Sequence, residues 1–116
     1  MRRPRSQSKL GRDAERRVRR HYRLRGYRLV AANARRGGCE LDVIVRRGRR
    51  LVFSEVKARS GPGYGDPREA VGREKARRLR RAAEAFLATR PELAELDVEF
   101  EVVAVSGRRI ERTPLL

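Results

Sequence analysis

The apolar positions of this chain fall into short periodic groups separated by glycine and arginine turns, and their spacing switches between helical and strand-like. From Ser8 onward, Leu10, Ala14, Val18 and the His21/Tyr22 pair recur at three- and four-residue intervals, with arginines over the other positions. That spacing predicts an amphipathic helix with Ser8 as N-cap and Gly26 as its stop. The segments Tyr27 to Asn33, Glu40 to Arg46 and Arg50 to Ala58 predict three strands, the last two joined across Arg47-Gly48. A second helix is predicted from Arg68 to Thr89, on a stripe of Val71, Ala76, Leu79, Ala82/Ala83, Phe86 and Leu87, with Pro91 ending it. Asp97 to Val105 alternates through Val98, Phe100, Val102 and Ala104 as a fourth strand, and Arg108 to Arg112 is a short fifth. The order αβββαββ, with a right-handed crossover from the third strand to the fourth, predicts an α/β fold. Its centre is a mixed β-sheet of about five strands flanked by helices.

A length of 116 residues supports one domain with one modest core. The expected organisation is a flexible basic arm over 1–7 and a single domain over 8–116. Charge sharpens the picture: 31 Lys+Arg against 15 Asp+Glu leave a formal balance of +16. A field of that size on so small a body attracts polyanions through salt-dependent contacts, so nucleic acid, most simply DNA, is the expected partner. The aromatic residues are too thinly spread for a stacking platform, which favours phosphate contact over base reading. Arg2, Arg3 and Arg5 of the arm, Arg35, Arg36 and Arg59 around the strands, and Arg73, Lys75, Arg77, Arg80 and Arg81 of the second helix are the expected contacts.

The longest apolar runs, Leu29 to Ala32 and Val102 to Val105, are far too short to span a bilayer or to form a signal-peptide core. No membrane partner is expected. The single Cys39 excludes an internal disulfide and a Cys-cluster zinc site and fits a reducing, cytoplasmic setting. The single His21 excludes two-histidine nucleases and two-histidine metal hydrolases. Both residues are expected to be structural.

If Arg47-Gly48 is the hairpin turn, Glu40 pairs with Glu55, Asp42 with Phe53 and Ile44 with Leu51, all on one face, with Leu41, Val43 and Val45 opposite. Asp42 and Glu55 become diagonal neighbours roughly 7 Å apart, and Lys57 projects on the same side. Carboxylates so placed repel one another unless one keeps its proton or a cation joins them. Hard oxygen donors with positions left for water and phosphate suit Mg²⁺ or Mn²⁺ better than zinc. Such an ion polarises a phosphodiester and lowers the pKa of a bound water, leaving Lys57 to orient or deprotonate the nucleophile or to stabilise developing charge. Arginine is effectively never neutral and cannot act as a base. A lysine at 57 is therefore notable in a chain whose other lysines are Lys9 and Lys75. A strand charged at every second position is also what a solvated face looks like, and both readings stand on the residues alone.

The motifs Gly11-x-x-Ala14-Glu15, Glu40-Leu41-Asp42-Val43-Ile44, Leu51-Val52-Phe53-Ser54-Glu55-Val56-Lys57-x-Arg59, Gly65-x-Pro67-x-Glu69-Ala70-Val71 and Lys75-x-Arg77-Arg78-Leu79 together resemble the YraN family. That is a bacterial family with a restriction-endonuclease-like fold, similar to archaeal Holliday junction resolvases. The resemblance implies a metal-dependent nuclease core, with Asp42 and Glu55 as metal ligands, Lys57 as the catalytic lysine and Glu15 as an acid reaching the site from the helix. Glu40 is a possible additional acid. The resemblance also implies branched or structured DNA as substrate, for which two-fold cutting would need a homodimer. A DNA- or RNA-binding module of the same fold that cuts nothing is the alternative. Cys39 and Glu101 depart from the family pattern, which more often has glycine and aspartate there.

Two further features are expected to be incidental. Asp97, Glu99 and Glu101 read as the polar face of a half-exposed strand. The loop Gly61-Pro-Gly-Tyr-Gly65 lacks the Gly-Lys-Ser/Thr ending of a phosphate loop and reads as a flap beside the acidic face.

Overall fold

The structure, a computed structural model, describes residues 9–59 and 71–115. Helix α1 (Lys9–Arg23) is followed by strands β1 (Arg28–Arg36), β2 (Cys39–Arg47) and β3 (Arg50–Arg59), helix α2 (Arg73–Ala88), a 3-10 turn at Pro91–Leu93, and strands β4 (Asp97–Ser106) and β5 (Arg109–Pro114). The strands form one sheet in sequence order. Neighbours are antiparallel except β3 and β4, which run parallel because α2 carries the chain back between them. This is the mixed α/β arrangement that the hydrophobic pattern predicts, in the order αβββαββ.

Each face of the sheet carries one helix. Ala14, Val18 and Tyr22 of α1 pack on Val43, Val52 and Val103. Leu79, Ala83 and Phe86 of α2 pack on Ile44, Leu51 and Phe53. The central strands are therefore covered on both sides, which is why the first half of β3, Leu51-Val52-Phe53, is apolar at consecutive positions rather than alternating. Helix α1 ends where Gly26 turns to φ +89° and the Tyr27 amide donates to the Tyr22 carbonyl at 3.1 Å.

Four expectations need correction. The hairpin turn is Gly48-Arg49, not Arg47-Gly48: Arg47 faces Arg50, and Ile44 faces Phe53 rather than Leu51. Gly48 takes φ +59°, and a glycine at the first central position is what a two-residue primed turn of this kind requires. The shift is by two residues, so every side chain between Val43 and Phe53 keeps its face. Leu41 is different, because it joins the α2-side layer with Ile44 instead of the α1-side layer with Val43. The cause lies beside it. Asn33, between the Ala32–Val43 and Ala34–Leu41 pairs, has φ +53°, and pairing of β2 with β3 stops at Val43–Ser54. The strand turns out of the regular pleat there.

Helix α2 starts at Arg73 and not at Arg68; residues 68–70 lie outside the described residues, as do 1–7, Ser8 and the 61–65 loop. Gly72 is its N-cap in extended conformation, and Val71 enters the core ahead of the helix, packing in the same layer as Ala76. Finally, Glu101 does not lie on a half-exposed face. It is 6% exposed, whereas Asp97 is exposed and Glu99 pairs with Arg50 through two hydrogen bonds of 2.8 Å. Strand β4 sits between two strands and under both helices, so its alternate face is interior too.

The buried Glu101 is fully engaged. Arg112 donates to it from Nε and Nη2 at 2.9 and 3.1 Å, and the Tyr22 hydroxyl donates to its Oε1 at 2.6 Å while lying 2.5 Å from Ser54 Oγ. Removing one member of a buried ion pair strands its partner's charge, at a cost of about 3–5 kcal/mol, against about 1–3 kcal/mol for an unsatisfied neutral group. In equilibrium denaturation, Arg112→Met is therefore expected to destabilise the fold more than Tyr22→Phe, and Glu101→Gln to fall between them.

Candidate metal centre

The stretch where β2 parts from β3 is the floor of a cleft of about 540 Å³ that both helices reach. Glu15 enters from α1, Glu40 and Asp42 from β2, Glu55 and Lys57 from β3, and Lys75 and Arg78 from α2. The gap itself is held by a side chain: with no strand pairing beyond Val43–Ser54, the Val56 amide donates to Asp42 Oδ2 at 2.9 Å. An acid at 42 thus replaces a ladder bond and is drawn between the strands. Glu15 is placed by its neighbours on α1, since Ala14 and Val18 are buried on the sheet and carry it inward to 6% exposure. The Asn33 side chain hydrogen-bonds to it.

Carboxylate oxygens of Glu15, Glu40 and Asp42 all lie within 4.8 Å of one another. Burial, then the charges of Glu55, Glu15 and Glu40, push Asp42 up to about 8 against the relief given by the Val56 amide. Burial and Glu40 push Glu15 up to about 7, opposed by Asn33 and Arg19. Glu55 stands beside this group with its own cations. Its Oε1 lies 2.8 Å from Lys75 Nζ and 3.6 Å from Lys57 Nζ. Lys57 is held below the ordinary lysine range by burial and by the adjacent Lys75, although Glu55 opposes this. On Lys75 the hydrogen bond and charge of Glu55 outweigh burial, and its pKa is raised.

Two buried oxygens, Glu40 Oε1 and Glu55 Oε2, have no hydrogen-bond partner among the described residues. Buried acceptors are rarely left so, and a hard cation held by the Glu15, Glu40 and Asp42 carboxylates could satisfy such an oxygen. The donor set, all carboxylate oxygen, fits Mg²⁺ or Mn²⁺ and lacks the nitrogen or sulfur that zinc prefers. Cys39 lines the cleft, and burial and Glu55 hold its thiol above the usual range, which favours the protonated form.

The expected site residues thus divide. Glu15, Glu40 and Asp42 converge, and Glu55 adjoins them as an ion-paired acid rather than as a member of the tight group. Arg35 and Lys75, expected on a phosphate-binding surface, are in the cleft itself, and Arg78 joins them. Arg73, Arg77, Arg80 and Arg81 are exposed along α2, Arg80 lying over Phe100 at 6.0 Å. Arg36 covers the Phe86 ring at 5.4 Å, and Arg59 ends β3. Arg2, Arg3 and Arg5 lie outside the described residues. The ion pair of Lys75 was missed by sequence reasoning, although the rarity of lysine that marks Lys57 marks it equally. Asn33 carried no comparable signal.

A family model described as "Uncharacterised protein family UPF0102" matches residues 14–105, which include every acid and lysine of the cleft. The chain is 46% identical over 91 residues to a UPF0102 protein of Parvibaculum lavamentivorans, covering 78% of this chain and 66% of that protein, just under two thirds of its length. It is 41% identical over 100 residues to a UPF0102 protein of Halorhodospira halophila, covering 86% and 79%. It is 43% identical over 102 residues to one of Frankia casuarinae, covering 88% and 86%. Among the described residues no helix is long and apolar enough to cross a membrane.

The raised values fix the sign of two pH effects. An acid whose pKa is higher in the fold than its ordinary value binds more protons folded than unfolded. The stability that Glu15 and Asp42 contribute to the metal-free fold is therefore expected to fall as pH rises from near 4 to about 8. Metal binding must expel those protons, so Mn²⁺ affinity, measured by calorimetry, is expected to rise through pH 7 to 8 with proton release. Asp42→Asn is expected to raise the melting temperature of the metal-free protein near pH 8 and to abolish its stabilisation by Mn²⁺.

Proposed function

The chain belongs to uncharacterised protein family UPF0102, the YraN family that its motifs resemble, and from that premise we propose that it is a Mg²⁺-dependent endonuclease acting on DNA, branched or otherwise structured. The observation that carries this reading is the convergence of Glu15, Glu40 and Asp42 in a cleft that Arg35, Lys75 and Arg78 also line. Acids for the metal and bases for the phosphate in one cleft are what a phosphodiester with its metal demands.

Glu15, Glu40 and Asp42 would hold the ion, with the free Oε2 of Glu55 beside them. When bound, it supplies Lewis-acid polarisation of a phosphoryl oxygen and a water of lowered pKa. Lys57 would be the base or orienting group for the attacking water, because burial and Lys75 favour the neutral form of this amine, which lies 3.6 Å from Glu55. Lys75 stays charged on Glu55 and fixes that carboxylate. Arg35 and Arg78 neutralise phosphate oxygens in the cleft, and their forked donors suit two oxygens at once. The +16 balance brings the polyanion to the cleft.

The reading is tested with labelled four-way-junction, flap, duplex and single-stranded DNA in Mg²⁺, Mn²⁺ or EDTA. Cutting is expected with either metal and not with EDTA. Asp42→Asn and Glu40→Gln should abolish it, and Lys57→Ala should slow it by about 10²-fold or more while binding persists. Binding without cutting across all four DNAs overturns the enzymatic reading in favour of a non-catalytic binding module.

A further inference from the structure

A second groove, of about 680 Å³, runs along the other half of α1. Arg16, Arg17, Arg19, Arg20 and Arg23 of α1 and Arg28 of β1 form its walls, and Leu29 and Val45 are on its floor. Among the described residues, no acidic residue lines it. Arg16, Arg20, Arg23 and Arg28 are exposed, and Arg16 reaches Asp13 only across open surface at 3.6 Å. Leu29 is 52% exposed at the start of an edge strand, so the floor is open to solvent. A row of guanidiniums facing one groove is costly in mutual repulsion unless an anion lies among them.

The groove neighbours the acidic cleft along α1. Gly11, Ala14 and Glu15 line the cleft, the next residues of the same helix line the groove, and Arg19 lies close enough to Glu15 to lower its pKa. From Glu15 to Arg23 the helix rises about 12 Å, at roughly 1.5 Å per residue. One strand of B-form DNA carries a phosphate about every 3.4 Å of axis, so that length matches three or four phosphates. Tyr27, the aromatic residue here, is 3% exposed and offers no face for a base to stack on.

We infer that this groove is a track for the phosphate backbone of a DNA strand running from the acidic cleft along α1. The inference rests on the nuclease reading for its ligand, yet it is read by binding alone. Contacts in the groove are to phosphate, so they carry affinity and salt dependence without sequence preference.

The test compares two charge-matched variants of the full chain. Arg20→Gln/Arg23→Gln alters the groove; Arg108→Gln/Arg109→Gln alters exposed arginines at the β4–β5 turn on the far edge of the sheet. Affinity for a labelled DNA duplex is measured against salt concentration without divalent metal. The groove variant is expected to bind more weakly, with the slope of log affinity against log salt smaller in size by about 2, since each lost phosphate contact removes about 0.9. The turn variant is expected to keep the native slope. Equal losses in both variants, no loss in either, or no salt-dependent binding by the native chain would each overturn the track. So would an unchanged DNA slope with loss of binding to polyglutamate, which would assign the groove to an acidic protein. Failure of the nuclease reading shows separately, as DNA bound through the groove but not cut.

Discussion

Burial of a carboxylate is tolerable only where a positive charge, a set of donors or a proton compensates it, and this small sheet buries Glu15, Asp42, Glu55 and Glu101 together. Each is answered differently. Glu101 has Arg112 and the Tyr22 hydroxyl, and Glu55 has Lys75 with Lys57 behind it. Asp42 and Glu15 have one backbone amide and one amide side chain, and they hold protons near neutrality instead. The same chemical problem is thus closed at one place and left open at another. The open place is where a cation fits.

Sheet topology makes the difference. At the closed end Glu101 faces α1 from a strand held on both sides, by β3 in parallel and by β5, which brings Arg112 against it. At the open end β2 has lost its pairing with β3, so neither face owns the space between them. A helix from each side can then send a residue into one cleft: Glu15 from α1, Lys75 from α2. A regular ladder would have kept Glu15 and Lys75 on opposite sides of a closed wall.

Much of this was legible in the sequence. Both helices, all five strands and the crossover follow from periodicities of 3.6 and 2 and from glycine positions. The hairpin register was misread by two residues, yet this did no harm to the faces, because side chains alternate with a period of two. What could not be read was the local departure from that period. No pattern marks Asn33 as left-handed or Leu41 as crossing to the other layer, so the acids appeared to share one strand face when they meet across an opening. Glu101 was misjudged for a related reason: whether a charged residue at alternate positions is solvated depends on what covers that face. The partner that settles it, Arg112, belongs to a different strand. Lys75 was visible as a rare lysine, but its ion pair with Glu55 depends on how α2 crosses the sheet.

The closed cluster also explains how the open one is held in place. Tyr22 and Glu15 are seven residues apart on α1, hence two turns along the same buried face, roughly 10 Å from each other. Tyr22 is fixed at 0% exposure by Ser54, Glu101 and the Arg112 guanidinium, 4.7 Å above its ring centre. Val18 and Ala14 continue that contact toward Glu15. A helix anchored this way cannot rotate Glu15 out to water without exposing Val18 and breaking a buried, charge-linked network. The like-charge repulsion in the cleft is therefore met by packing two turns away, not by relaxation within the cleft. An acid that would leave if it were free to do so is kept where it is needed.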